Sequence, residues 1–138
     1  MSELFDRGMR VRREVLGDAY VDRSLQAASD GFAADLQQLV TEYCWGAVWD
    51  RDGLARRDRS LLNLGMLIAL DKPKELATHV RGALQNGLTR DEIREVVLQA
   101  AIYCGVPAAL DATRTVREAF AAVDAEAADA SDAASSAA

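Results

Sequence analysis

Between Thr89 and Cys104 the apolar residues Ile93, Val96, Val97, Ala100, Ala101 and Cys104 return at i, i+3, i+4, i+7, i+8 and i+11. That period lays one continuous stripe along an α-helix and fits no strand. The same segment marks its own start. Thr89-Arg90-Asp91-Glu92 has the spacing at which a threonine hydroxyl and a glutamate carboxylate satisfy each other's orphan backbone donors. The pattern predicts a helix from Thr89 to Tyr103. Only two prolines punctuate the 138 residues, and the alternation of a β-strand is almost absent, so an all-α chain is expected.

The neighbouring segments are read outward from that helix. Asn86-Gly87 is a stop, because glycine accepts the left-handed conformation that ends a helix. The helix it ends begins at Pro73, where a first turn tolerates proline. Upstream, Asp58 is expected to cap a helix of Arg59 to Leu70, with Asp71-Lys72-Pro73 as the break between the two. Pro107 is expected to open a last helix to about Val123, with Leu110, Val116 and Phe120 as core candidates. The first third reads as a helix from Leu4 to Val15, a turn at Gly17-Asp18 and a longer helix through Leu36 to Trp49. A polar loop (WDRDGLARR) follows. After Val123, DAEAADASDAASSAA has nothing bulky to bury, so residues 124–138 are expected to be a disordered tail on a single helical domain of residues 1–123.

Charge and cysteine usage narrow the function classes. The net charge is −6, and Asp124, Glu126, Asp129 and Asp132 of the tail account for four of those charges, which leaves the rest close to neutral. No basic face is implied, so nucleic acid is not an expected partner. Cys44 and Cys104 are far apart and belong to no CxxC, which excludes a zinc ribbon and a disulfide scaffold. The charged N-terminus has no apolar core of a secretory signal, and Leu61 to Leu70 is too short for a membrane helix and is broken by Asn63 and Gly65. A reducing, cytoplasmic setting is expected, with no membrane partner.

Few side chains here can do chemistry. His79, the only histidine, titrates near neutrality and is a candidate proton donor or acceptor, or else a satisfied polar residue on a packed helix. Arg10, Arg12 and Arg13 cluster on the first helix, and Arg51, Arg56, Arg57 and Arg59 around the loop. Both clusters suit bidentate carboxylate binding, or a solvated face. Trp45 and Trp49 share a helix face that lines a pocket or packs a core. Cys104 is a pocket thiol or a small inert hydrophobe. One histidine and no tight His/Cys/Asp grouping speak against a metal site.

Four segments together carry a resemblance: MRVRREVLGDAYVDRSL, TEYCWGAVW, RSLLNLGMLIAL and HVRGALQNGLTRDEIREVVLQAAIYCGVPAA. Over about Met9 to Phe120 the chain resembles the carboxymuconolactone decarboxylase family, with IYCGVPAA and VLGDxxVDRS pointing to its 4-carboxymuconolactone decarboxylase branch. The resemblance implies a six- to seven-helix, alkylhydroperoxidase D-like fold that assembles into ring-forming homo-oligomers, trimers or hexamers. The implied activity is cofactor-free decarboxylation of 4-carboxymuconolactone to the β-ketoadipate enol-lactone in protocatechuate catabolism. His79 would then move the proton, and Arg81 would hold a substrate carboxylate or the lactone oxygen. Arg59 and Arg10 would hold a second carboxylate, while Trp45 and Cys104 wall the pocket.

The sister branch carries a CxxCxxxH motif whose cysteines fall on Lys72 and Glu75 here, and its proton-relay glutamate falls on Ser60. Thiol peroxidase chemistry is therefore disfavoured. Tyr20, Ala47 and Leu110 stand where the decarboxylase branch has His, an acid and Asn. These departures leave two alternatives open: an enzyme for a less charged lactone or keto acid, or a non-catalytic helical oligomer that binds a small ligand.

Overall fold

The computed structural model describes residues 2–137, and no strand occurs among them. The elements are α1 (Glu3–Leu16), α2 (Asp18–Ala27), α3 (Ala34–Leu39), a π-helical segment (Val40–Trp49), α4 (Arg56–Ala69), α5 (Pro73–Gln85), α6 (Arg90–Tyr103) and α7 (Val106–Ala137). The all-α expectation holds. No described helix is long and apolar enough to cross a membrane. The chain clusters into two compact units. One runs up to Arg59 and includes Gln85–Gly87, and the other holds Ser60–Leu84 and the chain from Leu88 onward.

The first unit is built on α1 crossing the π-helical segment. Ser2 caps α1 by accepting from the Phe5 N–H, and Gly17, at φ 88°, ends α1 and opens α2, a helix the sequence pattern did not separate. At the crossing the two backbones nearly touch. A Cβ on Gly8 would overlap the Thr41 carbonyl oxygen, and one on Gly46 would lie 2.5 Å from the Leu4 carbonyl oxygen. Glycine is required at both positions because nothing larger fits. The helix expected from Leu36 to Trp49 is therefore α-helical only to Leu39, then widens to i→i+5 pairing in the stretch that meets α1. Val11, Val15, Leu16, Val21, Trp45 and Trp49 form this unit's core, the two indoles 5.2 Å apart and tilted by 31°.

The second unit packs Leu64, Ile68, Leu76, Val80, Ile93, Ala100 and Val116 into its core. The capping box at Thr89 and Glu92 forms with both hydrogen bonds present. Three expectations need correction here. Asp58 is not a cap: α4 starts at Arg56, the Arg59 N–H reaches Ala55 O, and Asp58 lies inside the first turn. Leu110 is 63% exposed, while Val116 is buried and Phe120 partly so. The expected disordered tail is the continuation of α7 to Ala137. Alanine is the strongest helix former, and two ion pairs hold the start of this extension, Arg81–Glu126 at 2.6 Å and Arg90–Asp124 at 2.5 Å.

Candidate active site

On α5 the buried residues Leu76, Val80 and Ala83 follow i, i+4 and i+7, and His79 stands at the border of that stripe. Its partner comes from α4. Asn63 Nδ2 lies 3.3 Å from His79 Nδ1. An amide nitrogen has only protons to offer, so Nδ1 accepts and the ring proton resides on Nε2. Burial pushes the imidazole below its ordinary value of 6.5, and the negative charge of Glu75 only partly offsets this. At neutral pH the ring is thus a neutral, oriented Nε2–H donor.

Asn63 is a site residue that the sequence reading treated only as an interruption of an apolar run. The available signal was its place in Ser60, Asn63, Leu64, Leu67, the i, i+3, i+4, i+7 series that turns one face of α4 inward.

Arg81 does not share the face of His79. Two residues along a helix turn a side chain by about 200°. Its guanidinium takes Glu126 in a fork, with both N···O distances 2.6 Å. Cys104 also belongs to the second unit. It is exposed and lines a groove of about 460 Å³ with Leu61, Leu62, Gly65 and Tyr103.

Arg10, Trp45 and Arg59 belong to the first unit. Arg10 is exposed and reaches Asp50 at 3.5 Å. Arg59 donates to the Arg51 carbonyl at 3.2 Å, and its Nε is buried without a hydrogen-bond partner. Trp45 is a core residue. Tyr20 packs against the same core under the Arg23 guanidinium, and Ala47 is partly buried.

The arginine that α1 buries is Arg12, which the sequence reading grouped with its exposed neighbours. Gly8, Val11, Arg12, Val15 and Leu16 are all buried, so helical spacing alone put Arg12 on the inward face.

The fold is all-helical among the described residues, and the His79–Asn63 pair is set between two of its helices. Residues 34–118 match the carboxymuconolactone decarboxylase family, and the chain belongs to it. It is 50% identical over 109 residues to the nitrosuccinic acid decarboxylase of Metarhizium robertsii, covering 79% of this chain and 76% of that one. It is 40% identical over 116 residues to the 4-carboxymuconolactone decarboxylase of Acinetobacter baylyi, covering 84% and 86%. A third relative, a 4-carboxymuconolactone decarboxylase of Pseudomonas putida, is 48% identical over 42 residues, 30% of this chain and 85% of that one.

Proposed function

We propose that this chain is a cofactor-free carboxy-lyase for a small acid whose departing carboxylate sits on a carbon conjugated to an oxygen electron sink. The observation that carries the reading is the neutral, Asn63-oriented imidazole of His79. In 4-carboxymuconolactone the C–C bond to the carboxylate breaks and CO2 leaves. The electron pair spreads through C=C onto the lactone carbonyl oxygen as a dienolate. A hydrogen bond from Nε2–H to that oxygen grows stronger as its charge grows, an effect of about 2.7–4 kcal/mol per donor in oxyanion sites. The ring carbon then takes its proton from solvent entering beside the imidazole, which orients the delivery and stays neutral throughout.

Arg81, read from the sequence as the holder of the remaining substrate carboxylate, turns away from His79 and grips the Glu126 carboxylate, so it is set apart from a substrate held at Nε2. Cys104, in the same unit as His79, is assigned to the pocket wall.

A second substrate reading rests on the 50% identity to the nitrosuccinic acid decarboxylase. In that acid a nitro group on the carboxylate-bearing carbon takes the electron pair as a nitronate, so the same two demands return, a donor to a growing oxyanion and a proton for carbon. The deciding experiment is CO2 release from 4-carboxymuconolactone and from nitrosuccinic acid, each with wild type and His79→Ala. Turnover of one acid and not the other assigns the substrate. Turnover of neither by the wild type overturns the carboxy-lyase reading and leaves a ligand-binding relative.

Homo-oligomerisation belongs to the same proposal. Leu98, Ile102, Tyr103, Val106 and Leu110, at the end of α6 and the start of α7, are 56–83% exposed, more bulky apolar surface than a lone chain needs to show. Light scattering should return a multiple of the chain mass.

A further inference from the structure

The chain from Leu88 onward carries nine acidic residues and four basic ones, the latter all arginine. Three of those four arginines nevertheless line one groove between α6 and α7. Helical spacing brings them there from both sides. On α6, Arg90, Arg94 and Val97 follow i, i+4 and i+7, and on α7, Thr113, Val116, Arg117 and Phe120 follow i, i+3, i+4 and i+7. Arg90 and Arg94 stand at the spacing where like charges on a helix repel, and Arg117 adds a third charge from the opposite wall. Positive charge drawn together in an otherwise acidic segment makes a local field that favours an anion.

The three guanidiniums are not equally satisfied. Arg90 is forked onto Asp124 and lies 4.6 Å over the Phe120 ring, which fixes it in place. Arg94 meets Asp91 only at 3.5 Å, with both side chains exposed. Arg117 is exposed and has no ion pair or hydrogen bond among the described residues. No acid stands three or four positions from it, where Thr113, Arg114, Phe120 and Ala121 are found. Thr113 Oγ1 donates to the Ala109 carbonyl at 2.8 Å, so its proton is used, and Arg94 and Arg117 are left as donors to a ligand. Between the arginines the floor is apolar, with Val116 buried and Val97 and Phe120 partly so. The groove holds about 330 Å³, at the small end of the range for small-molecule sites. Asp91, the acid on its wall, disfavours a second negative charge on a ligand.

We propose that the groove between α6 and α7 binds a small aromatic monocarboxylate, its carboxylate held by Arg117 and Arg94 and its ring laid on Val97, Val116 and Phe120. A flat, rigid body covers such a floor without freezing rotors of its own. The site shares no residue with the His79–Asn63 pair and does not depend on which acid is decarboxylated. A carboxylate from a second copy of the chain has the same chemistry, and the experiment separates the two sources.

The test is titration calorimetry of the full-length protein, at fixed ionic strength, with benzoate, the neutral isostere benzamide and inorganic sulfate. Benzoate should bind, and benzamide should bind at least about ten-fold more weakly, the scale of a charge-assisted hydrogen bond. Arg117→Gln should weaken benzoate by about three- to ten-fold, and Arg94→Gln by less. Both side chains are exposed, so both variants should fold. Arg114→Gln removes the same charge from a residue outside the groove, paired with Asp111, and should leave benzoate binding unchanged, as should His79→Ala. Equal binding of benzoate and benzamide overturns the proposal. So does an equal loss in Arg114→Gln and Arg117→Gln, which would make the effect one of net charge. Binding that survives Arg117→Gln but is lost in His79→Ala moves the ligand to the imidazole and also overturns it. Sulfate bound as tightly as benzoate overturns it in favour of a site for inorganic anions. Absence of benzoate binding overturns it as well, and a lower oligomer mass for Arg117→Gln at equal concentration then assigns the groove to a carboxylate of a second copy.

Discussion

His79 of the second unit and Arg12 of the first are both withdrawn from water, and their chemistry makes the outcomes opposite. The imidazole answers burial by giving up its proton, and the amide of Asn63 then orients it. The guanidinium has no neutral form within reach, so it stays charged among neutral acceptors and keeps an unanswered N–H. The difference teaches how to read a buried cation. One that can neutralise itself keeps an oriented proton donor for chemistry, and one that cannot must spread its charge over neutral acceptors.

Four experiments break or sharpen this contrast. The largest effect belongs to His79→Ala, which should lower kcat on the accepted acid by about 10²–10⁴-fold while circular dichroism stays helical. An unchanged kcat would leave His79 a structural residue.

Next comes Gly8→Ala in the first unit. The new Cβ overlaps a backbone oxygen that no side-chain motion can move away, so the cost should exceed about 3 kcal/mol. Gly65→Ala in α4 meets nothing within 4 Å and should instead stabilise by about 0.5–1 kcal/mol through helix propensity. Thermal melts of the two variants compare them directly.

The pH dependence of stability is a smaller effect. The His79 pKa is depressed in the folded chain, so below about 6.5 the unfolded chain binds that proton first. The histidine's contribution should therefore be lost as pH falls from 6.5 toward the folded value, and recovered above 6.5. Denaturant midpoints between pH 7.5 and 5 should drop less for His79→Gln than for the wild type.

Smallest is Glu126→Ala. A partly exposed ion pair contributes about 0.2–1 kcal/mol, so the melting temperature should fall only slightly. KM for the acid should stay unchanged, because Arg81 and Glu126 lie away from the face of His79. A KM that falls would bring Arg81 to the substrate carboxylate.

Most of the fold was legible because helices announce themselves locally. The Thr89 box, the Gly87 stop and the Pro73 start are each decided within a few residues, and each is where the pattern placed it. The misreadings are of a different kind. Asp58 was an available cap that α4 bypassed by starting earlier, and the π-helical stretch repeats its apolar residues much as an α-helix does. The tail lacked a core face, and its first turns are held by charges 34 and 45 residues away in sequence. The site was half legible. A lone histidine attracts notice by itself, whereas Asn63 and Arg12 matter through the faces they occupy.

The sequence by itself determined that this chain is helical, where most helices begin and end, and which family it resembles, because capping, periodicity and short motifs act over a turn or two. Only the tertiary structure decided that His79 is neutral and oriented by Asn63, that Arg81 turns to Glu126, and that Arg12 keeps an unanswered N–H. Those outcomes depend on how much water each group keeps and on which distant partner reaches it. Both quantities come into being only when helices pack.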